Sequence, residues 1–190
     1  TKKLKVIGRA GVGIDNIDLD ASTRKGIVVM NTPDVNTISA AEHTIALMLS
    51  LSRNIHKGHL ELQKGLWNRH KLTGSELKGK KIGIIGLGKI GREVMIRCIP
   101  FGMQILGYDP YINPNIFNKD EIKVLSLDQL IQEADYVTIH IPMTKDSKGL
   151  INYKLLQKMK KTARIINVAR GGIINEGDLA KALREKLILG

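Results

Sequence analysis

The 190-residue sequence is poor in cysteine and aromatics and has no long apolar run. Its single cysteine, Cys98, leaves no partner for an internal disulfide and excludes a cysteine-cluster metal site. No metal site is expected. Cys98 stands in Val94-Met95-Ile96-Arg97-Cys98-Ile99, a helical pattern that suits a buried structural thiol. Aromatics make up only 4% of the chain, so the interleaved stacking platforms of a single-strand nucleic-acid binder are missing. No apolar stretch is long enough to span a bilayer, and the basic start Thr1 to Lys5 runs into Gly8-Arg9 rather than a signal-peptide core. The cytosol is the default location.

What is present is lysine. The formal net charge is +12, but the lysines are scattered singly or in pairs (Lys2-Lys3, Lys80-Lys81, Lys160-Lys161) without a dense basic block. That distribution describes a solvated surface and argues against nucleic acid; an anionic small-molecule substrate fits it too.

Short β-branched runs alternate with helical patterns along the chain. Lys5-Val6-Ile7 and Ile27 to Met30 read as buried parallel strands joined by a short helix that Gly26 stops. Ser39, with Glu42 three residues on, is the expected N-cap of a strongly apolar helix buried on several sides, and His56 to Trp67 is an amphipathic continuation. After a polar link at 71–81 come strands at Lys81 to Ile85, Met103 to Tyr108, Tyr136 to Ile139 and Ala163 to Val168. Helices are expected at Lys89 to Ile99, Leu127 to Glu133, Tyr153 to Met159 and from Asn175 onward, with a polar stretch from Pro110 to Lys123. This rhythm predicts an α/β fold with a doubly wound parallel sheet.

Gly86-Leu87-Gly88-Lys89-Ile90-Gly91 follows one strand directly and opens a helix, and Asp109 ends the next strand 18 residues beyond Gly91. A G-x-G-x-x-G alone is a weak signal; in this setting it predicts a dinucleotide site. Gly86 permits the tight turn, Gly88 lets backbone approach a pyrophosphate, and Gly91 lets the helix pack on the sheet. Amides near Lys89 and Ile90 would face the phosphates at the positive helix end. Asp109 would accept hydrogen bonds from the adenosine ribose and repel a 2′-phosphate, and Pro110 follows it where an arginine would favour NADP; NAD is the expected cofactor.

Arg170, in Asn167-Val168-Ala169-Arg170-Gly171-Gly172, lies just past an apolar strand, where its planar fork could grip the carboxylate of a 2-oxo acid. Taken alone it reads more simply as a surface loop arginine. Arg9-Ala10-Gly11-Val12-Gly13-Ile14-Asp15 is a second glycine-rich loop after a strand; its spacing does not separate an anion-binding nest from an ordinary turn.

The segments Arg9 to Asp18, Asn31-Thr32-Pro33, Ser39 to Thr44, Gly86 to Gly91, His140-Ile141-Pro142 and Asn167 to Gly172 follow one another as in the D-3-phosphoglycerate dehydrogenases. Over nearly its whole length the sequence therefore resembles the D-isomer-specific 2-hydroxyacid dehydrogenase family. The resemblance implies a Rossmann NAD-binding domain over 35–190 and the end of a substrate domain over 1–34. It implies that Gly11, Val12, Gly13 and Asn36 bind substrate. Val12, Gly86, Gly88, Lys89, Ile90, Gly91, Asp109, His140, Ile141, Pro142, Val168, Ala169 and Arg170 would line the cofactor, and Arg170 would be the catalytic arginine. It also implies a homodimer through helices within 39–70 and a 2-hydroxyacid or 2-oxoacid substrate, with 3-phosphoglycerate leading.

Reduction of a carbonyl needs a proton donor, which the family places, as a histidine paired with a carboxylate, beyond the position of Gly190. The chain is thus expected to be part of a longer enzyme and to bind cofactor better than it turns over substrate. His43, His56, His59 and His70 fall on or beside the long helices, where solvated or interface roles are expected, and only His140 stands at the ligand edge of the sheet. Two other readings remain at this point: an NAD-sensing interaction module related to the dehydrogenase-like corepressors, and a basic nucleic-acid binder.

Overall fold

The computed structural model describes residues 3–118 and 120–190. Its centre is a five-stranded, wholly parallel sheet made of β3 (Lys81–Ile85), β4 (Gln104–Tyr108), β5 (Ile122–Val124), β6 (Tyr136–Ile139) and β7 (Arg164–Asn167), in the order β5-β4-β3-β6-β7. The chain builds outward from β3 in one direction through β4 and β5, then returns to its other side for β6 and β7. Parallel neighbours cannot be joined by a tight hairpin, so helices carry the chain back across the faces of the sheet. The reversal beside β3 is the topological switch at which open α/β sheets bind ligands.

Both faces are covered, which is why these strands read as near-continuous apolar runs. Along β3, Ile82 and Ile84 point into one core, shared with Ala41 and Met48 of α2 (Thr37–Arg53) and Val94, Met95 and Cys98 of α4 (Lys89–Cys98). Ile85 points into the other, where it joins Leu130 and Ile131 of α5 (Leu127–Glu133), Leu156 of α6 (Tyr153–Leu156) and Ala182 of α7 (Glu176–Arg184). Gly83 is the exception that permits the layer: an added Cβ would collide with the Leu130 side chain. Ser126 opens α5 with a reciprocal capping box, its hydroxyl taking the Gln129 amide while the Gln129 side chain takes the Ser126 amide. Asn175 caps α7 through the Asp178 amide, but the Asp178 carboxylate turns away to accept the Tyr153 amide at 2.9 Å and so ties α7 to α6.

A separate two-stranded parallel sheet pairs β1 (Val6–Arg9) with β2 (Val28–Asn31), linked by α1 (Leu19–Arg24), which Asp18 caps through the Ala21 amide. These strands were expected to be buried, yet Val6, Val28 and Met30 are 50%, 56% and 58% exposed. Pairing satisfies one edge of each strand, but among the described residues no helix layer packs over both of their faces as it does on the larger sheet.

Four further expectations are corrected. Helix α2 starts at Thr37 with Asn36 as its cap residue, while Ser39 lies inside the first turn, its hydroxyl 3.4 Å from the Asn36 carbonyl. Nor is α2 buried on several sides: only Ala41, Thr44, Met48 and Ser52 are sealed, a single stripe at helical spacing. The helix after it, α3 (Ile55–Gln63), starts from Asn54 in a left-handed conformation and stops before Gly65 (φ 71°), so Trp67 lies outside it and is 74% exposed. Finally, the polar stretch before Lys123 contains the start of β5, whose Ile122 is its one sealed side chain. Among the described residues no helix is long and apolar enough to cross a membrane.

Candidate cofactor and substrate site

At the carboxyl ends of β3, β4 and β6 lies a cavity of about 440 Å³, a size suited to small-molecule ligands. Gly86, Gly88, Asp109, His140, Ile141 and Pro142 from the expected cofactor set all line it, joined by Tyr108, Pro110, Tyr111, Thr144, Asp146, Ser147 and Leu150. Of this last group only Pro110 was singled out from sequence. Except for Tyr108 at the end of β4 its members come from loops, and in one of these Ser147 accepts the Thr144 amide at 2.7 Å and donates to the Pro142 carbonyl at 2.8 Å, which folds 142–147 into a wall.

The glycine turn is built by close backbone approach. Gly86 has φ 96°, and a Cβ there would meet the His140 carbonyl oxygen at 2.6 Å. Gly91 lies on the Gly86 carbonyl, leaving no room for a side chain. Gly88 differs: it caps α4, and a Cβ built on it meets nothing within 4 Å. That open space over the helix amides is where a pyrophosphate would approach, and the dipole of α4 favours negative charge there. Lys89 and Ile90 open the helix, but the Lys89 ammonium reaches across to Asp34, 2.5 Å away.

Asp109 is held ready. One carboxylate oxygen accepts the Leu87 amide and the other the Tyr111 amide, each at 2.9 Å. Both oxygens keep further lone-pair capacity, so a ribose diol could add its hydrogen bonds to a carboxylate already fixed in plane. Tyr108, Pro110, Tyr111 and Leu150 supply apolar surface beside it for a flat base. These residues fit the adenosine end of a dinucleotide.

His140 is half-buried, its Nε2 2.9 Å from the Thr138 hydroxyl, and burial pushes its pKa down to about 4. It is neutral at pH 7 and holds no acidic proton to give. Its position suits a wall of the cavity rather than acid-base work.

Val168, Ala169 and Arg170 leave the end of β7. Asn167 fixes their turn, its side chain accepting the Ala169 amide at 3.0 Å and donating to the Arg170 carbonyl at 2.8 Å. Arg170 then reaches the Gly11–Gly13 loop: its Nε donates to Asp15 at 2.7 Å, its Nη1 to the Ala169 carbonyl at 2.8 Å, and its Nη2 occupies the place a Gly13 side chain would need. The loop spends its carbonyls on protein, Gly11 on the Thr32 amide, Val12 on the Asn31 side chain at 2.9 Å and Gly13 on Arg9 Nε at 3.0 Å. Among the described residues the Val12 and Gly13 amides donate to no protein group. Free amides beside a guanidinium suit a carboxylate. Arg9 and Asp15 belong to this cluster and were not singled out from sequence, although both flank the glycines. Asn36 heads α2, and its side chain makes no capping hydrogen bond.

Residues 45–190 match the family model described as D-isomer specific 2-hydroxyacid dehydrogenase, NAD binding domain. The chain belongs to this family. It is 47% identical over 185 residues to the D-3-phosphoglycerate dehydrogenase of Methanocaldococcus jannaschii, an alignment that covers 97% of this chain and 35% of that protein. With the human D-3-phosphoglycerate dehydrogenase it shares 46% identity over 183 residues, covering 96% and 34%. The chain thus spans about a third of the length of the curated relatives it matches. Among solved structures, it superposes on the NAD-dependent formate dehydrogenase from Staphylococcus aureus in complex with NAD with a TM-score of 0.90 at 36% identity, covering 98% of this chain and 56% of that one. For the D-lactate dehydrogenase from Aquifex aeolicus, complexed with NAD and lactic acid, the TM-score is 0.88 at 32% identity, covering 98% and 56%. NAD is the cofactor of this family's domain, and the cavity at the switch point is where the family's glycine turn stands in this chain.

Proposed function

We propose that this chain is the cofactor-binding portion, 35–190, with the end of a substrate domain, 1–34, of an NAD-dependent D-2-hydroxyacid dehydrogenase. The substrate proposed first is 3-phosphoglycerate, which would place the enzyme in serine biosynthesis in the cytoplasm. One observation carries the reading: the Arg170 guanidinium lies on the Gly13 backbone, next to Val12 and Gly13 amides that donate to no protein group among the described residues, at the carboxyl edge of the sheet that also bears the Gly86–Gly91 turn. A surface arginine with no such role has no reason to meet a second glycine loop.

When bound, NAD would accept the hydride from the alcohol carbon, and the hydroxyl proton would pass to a general base of the full-length enzyme. This chain's residues do the holding. Gly86, Gly88, Lys89, Ile90 and Gly91 form the pyrophosphate cradle and Asp109 takes the ribose. His140, Ile141, Pro142, Val168 and Ala169 exclude water around the cofactor. The amides of Gly11, Val12 and Gly13, with Asn36, orient the substrate, while Arg170 draws its carboxylate and oxygen into line and stabilises charge on that oxygen. Restricting the substrate's freedom in this way accounts for a large part of the rate gain in such reactions.

A homodimer through 39–70 is part of the proposal. Ile55, Leu60, Leu62, Leu66 and Trp67 are exposed along that segment, apolar surface that a second copy could cover.

Two measurements test the reading. Titration with NADH and NADPH, followed by cofactor fluorescence, should show NADH binding far more tightly; equal affinity would overturn the role given to Asp109. In the full-length protein, Arg170→Ala should cut kcat/KM for 2-hydroxyacids by about 10²-fold or more while NADH still binds. Undiminished turnover would remove Arg170 from catalysis, and NADH-driven association without turnover in the unmutated protein would instead indicate an interaction module.

A further inference from the structure

Arg170 and Asp15 are 155 positions apart in sequence, and their ion pair joins the two-stranded segment to the five-stranded sheet. Its side chains are 41% and 53% exposed. Exposed pairs contribute little to stability, so holding the fold together is a weak explanation for this one. Its geometry offers a better one. A guanidinium has five N–H groups: one on Nε and two on each Nη. Asp15 takes the Nε proton at 2.7 Å and the Ala169 carbonyl takes one from Nη1 at 2.8 Å, which together fix the plane of the group. One N–H on Nη1 and both on Nη2 remain, and Nη2 lies against Gly13.

We propose that Asp15 is a positioning residue for Arg170, turning the Nη edge of the guanidinium toward the Gly11–Gly13 loop so that it meets the substrate carboxylate beside the Val12 and Gly13 amides. This rests on the function proposed above. Asp15 occupies the Nε side and so steers an incoming carboxylate to the Nη edge, where two parallel hydrogen bonds can form. Its charge does not cancel the site's attraction for anions, because Arg9, whose Nε binds the Gly13 carbonyl, brings a second cation to the same loop. Two arginines facing one aspartate leave a net positive cluster. The Arg170 hydrogen bond also holds the Asp15 carboxyl below the usual carboxylate range, so it is ionised across the pH range of ordinary assays.

The test uses the full-length enzyme and reads KM for the 2-hydroxyacid, kcat and NADH affinity separately. Asp15→Ala should lower kcat/KM by about tenfold or more through misplacement of Arg170, with NADH Kd changed less than about twofold. Asp15→Asn keeps an oxygen that can accept from Nε and should recover most of the loss. In an Arg170→Lys background, which has no Nε–H at that position, Asp15→Ala should add less than about twofold, because coupled residues are not additive. Unchanged KM and kcat in Asp15→Ala, while Arg170→Ala has lost turnover, would overturn the inference and leave the dehydrogenase reading intact. Undiminished turnover in Arg170→Ala would instead remove the reading beneath it. A parallel loss of NADH binding and thermal stability in both Asp15 variants would show a structural role and overturn the inference as well.

Discussion

The Gly11–Gly13 turn and the Gly86–Gly91 turn each follow a parallel strand, yet different forces hold them. In the second, backbone rests on backbone: Gly86 meets the His140 carbonyl and Gly91 lies on the Gly86 carbonyl, at the end of a strand sealed on both faces. In the first, side chains hold a loop on a two-stranded sheet that is largely exposed, through Arg9, Asn31, Thr32 and Arg170. A backbone cradle keeps its shape whether or not a ligand is present, as suits a cofactor grip. A loop held mainly through its carbonyls, whose Val12 and Gly13 amides donate to no protein group among the described residues, can offer those amides to the anionic group of a substrate, as suits the reacting end.

The largest expected effect tests that contrast directly. Gly91→Val forces a branched side chain onto the Gly86 carbonyl and should destabilise the protein by about 3 kcal/mol, seen as a lower Tm together with lost NADH binding. Gly13→Ala places its methyl against the end of a flexible, exposed arginine and should leave Tm almost unchanged while weakening substrate binding. Equal losses of Tm in the two variants would break the comparison.

Next in size is a pH effect on the second turn. His140 has its folded pKa at about 4, below its ordinary 6.5. As pH falls, the unfolded chain takes up the proton first, so the contribution is complete above about pH 6.5 and is lost progressively toward pH 4. Between pH 7 and pH 5 the loss is about 2 kcal/mol. Urea unfolding at the two pH values measures it, and His140→Gln should flatten the difference. A variant with the parent's pH dependence would assign the effect to other groups.

Much of the second turn was legible because its determinants are local: an apolar strand, three glycines at fixed spacing, a helix and an acid at the end of the next strand. The doubly wound sheet was legible for the same reason. Strand β5 was not, since three residues at a sheet edge, in a stretch rich in asparagine and lysine, carry little pattern. The start of α2 was misplaced because Ser39 and Glu42 imitate a capping box, whereas Asn36 heads the helix without using its side chain. The exposure of β1 and β2 could not be read either, as β-branched runs look alike whether or not a layer covers them. Hardest of all was the pairing of Asp15 with Arg170, where no local spacing links residues so far apart.

A medium-sized effect separates the two ends of the cofactor site. Asp109→Ala removes the hydrogen bonds to Leu87 and Tyr111 along with the acceptors for the ribose. NADH affinity should fall about tenfold, the value of roughly one good charged hydrogen bond, and the preference for NADH over NADPH should shrink. A fluorescence titration with both cofactors reads both changes. Unaltered discrimination would move the selectivity elsewhere on the rim.

The smallest expected effect falls on the link between the two regions. Lys89 and Asp34 pair at 2.5 Å, but their side chains are 67% and 54% exposed. An exposed pair gains little Coulomb energy and spends side-chain entropy to form, so Asp34→Asn, which keeps a residue suited to the left-handed backbone there (φ 73°), should change stability by less than about 0.5 kcal/mol. The interest lies in binding. Asp34 holds the one lysine of the pyrophosphate turn, and freeing that ammonium should strengthen NADH binding about twofold at low salt, an advantage that screening removes as ionic strength rises. Weaker binding in the variant would show that Asp34 presents Lys89 to the phosphates rather than competing with them. The first region would then help to build the cradle of the second, and the separation drawn between the two turns would have to be given up.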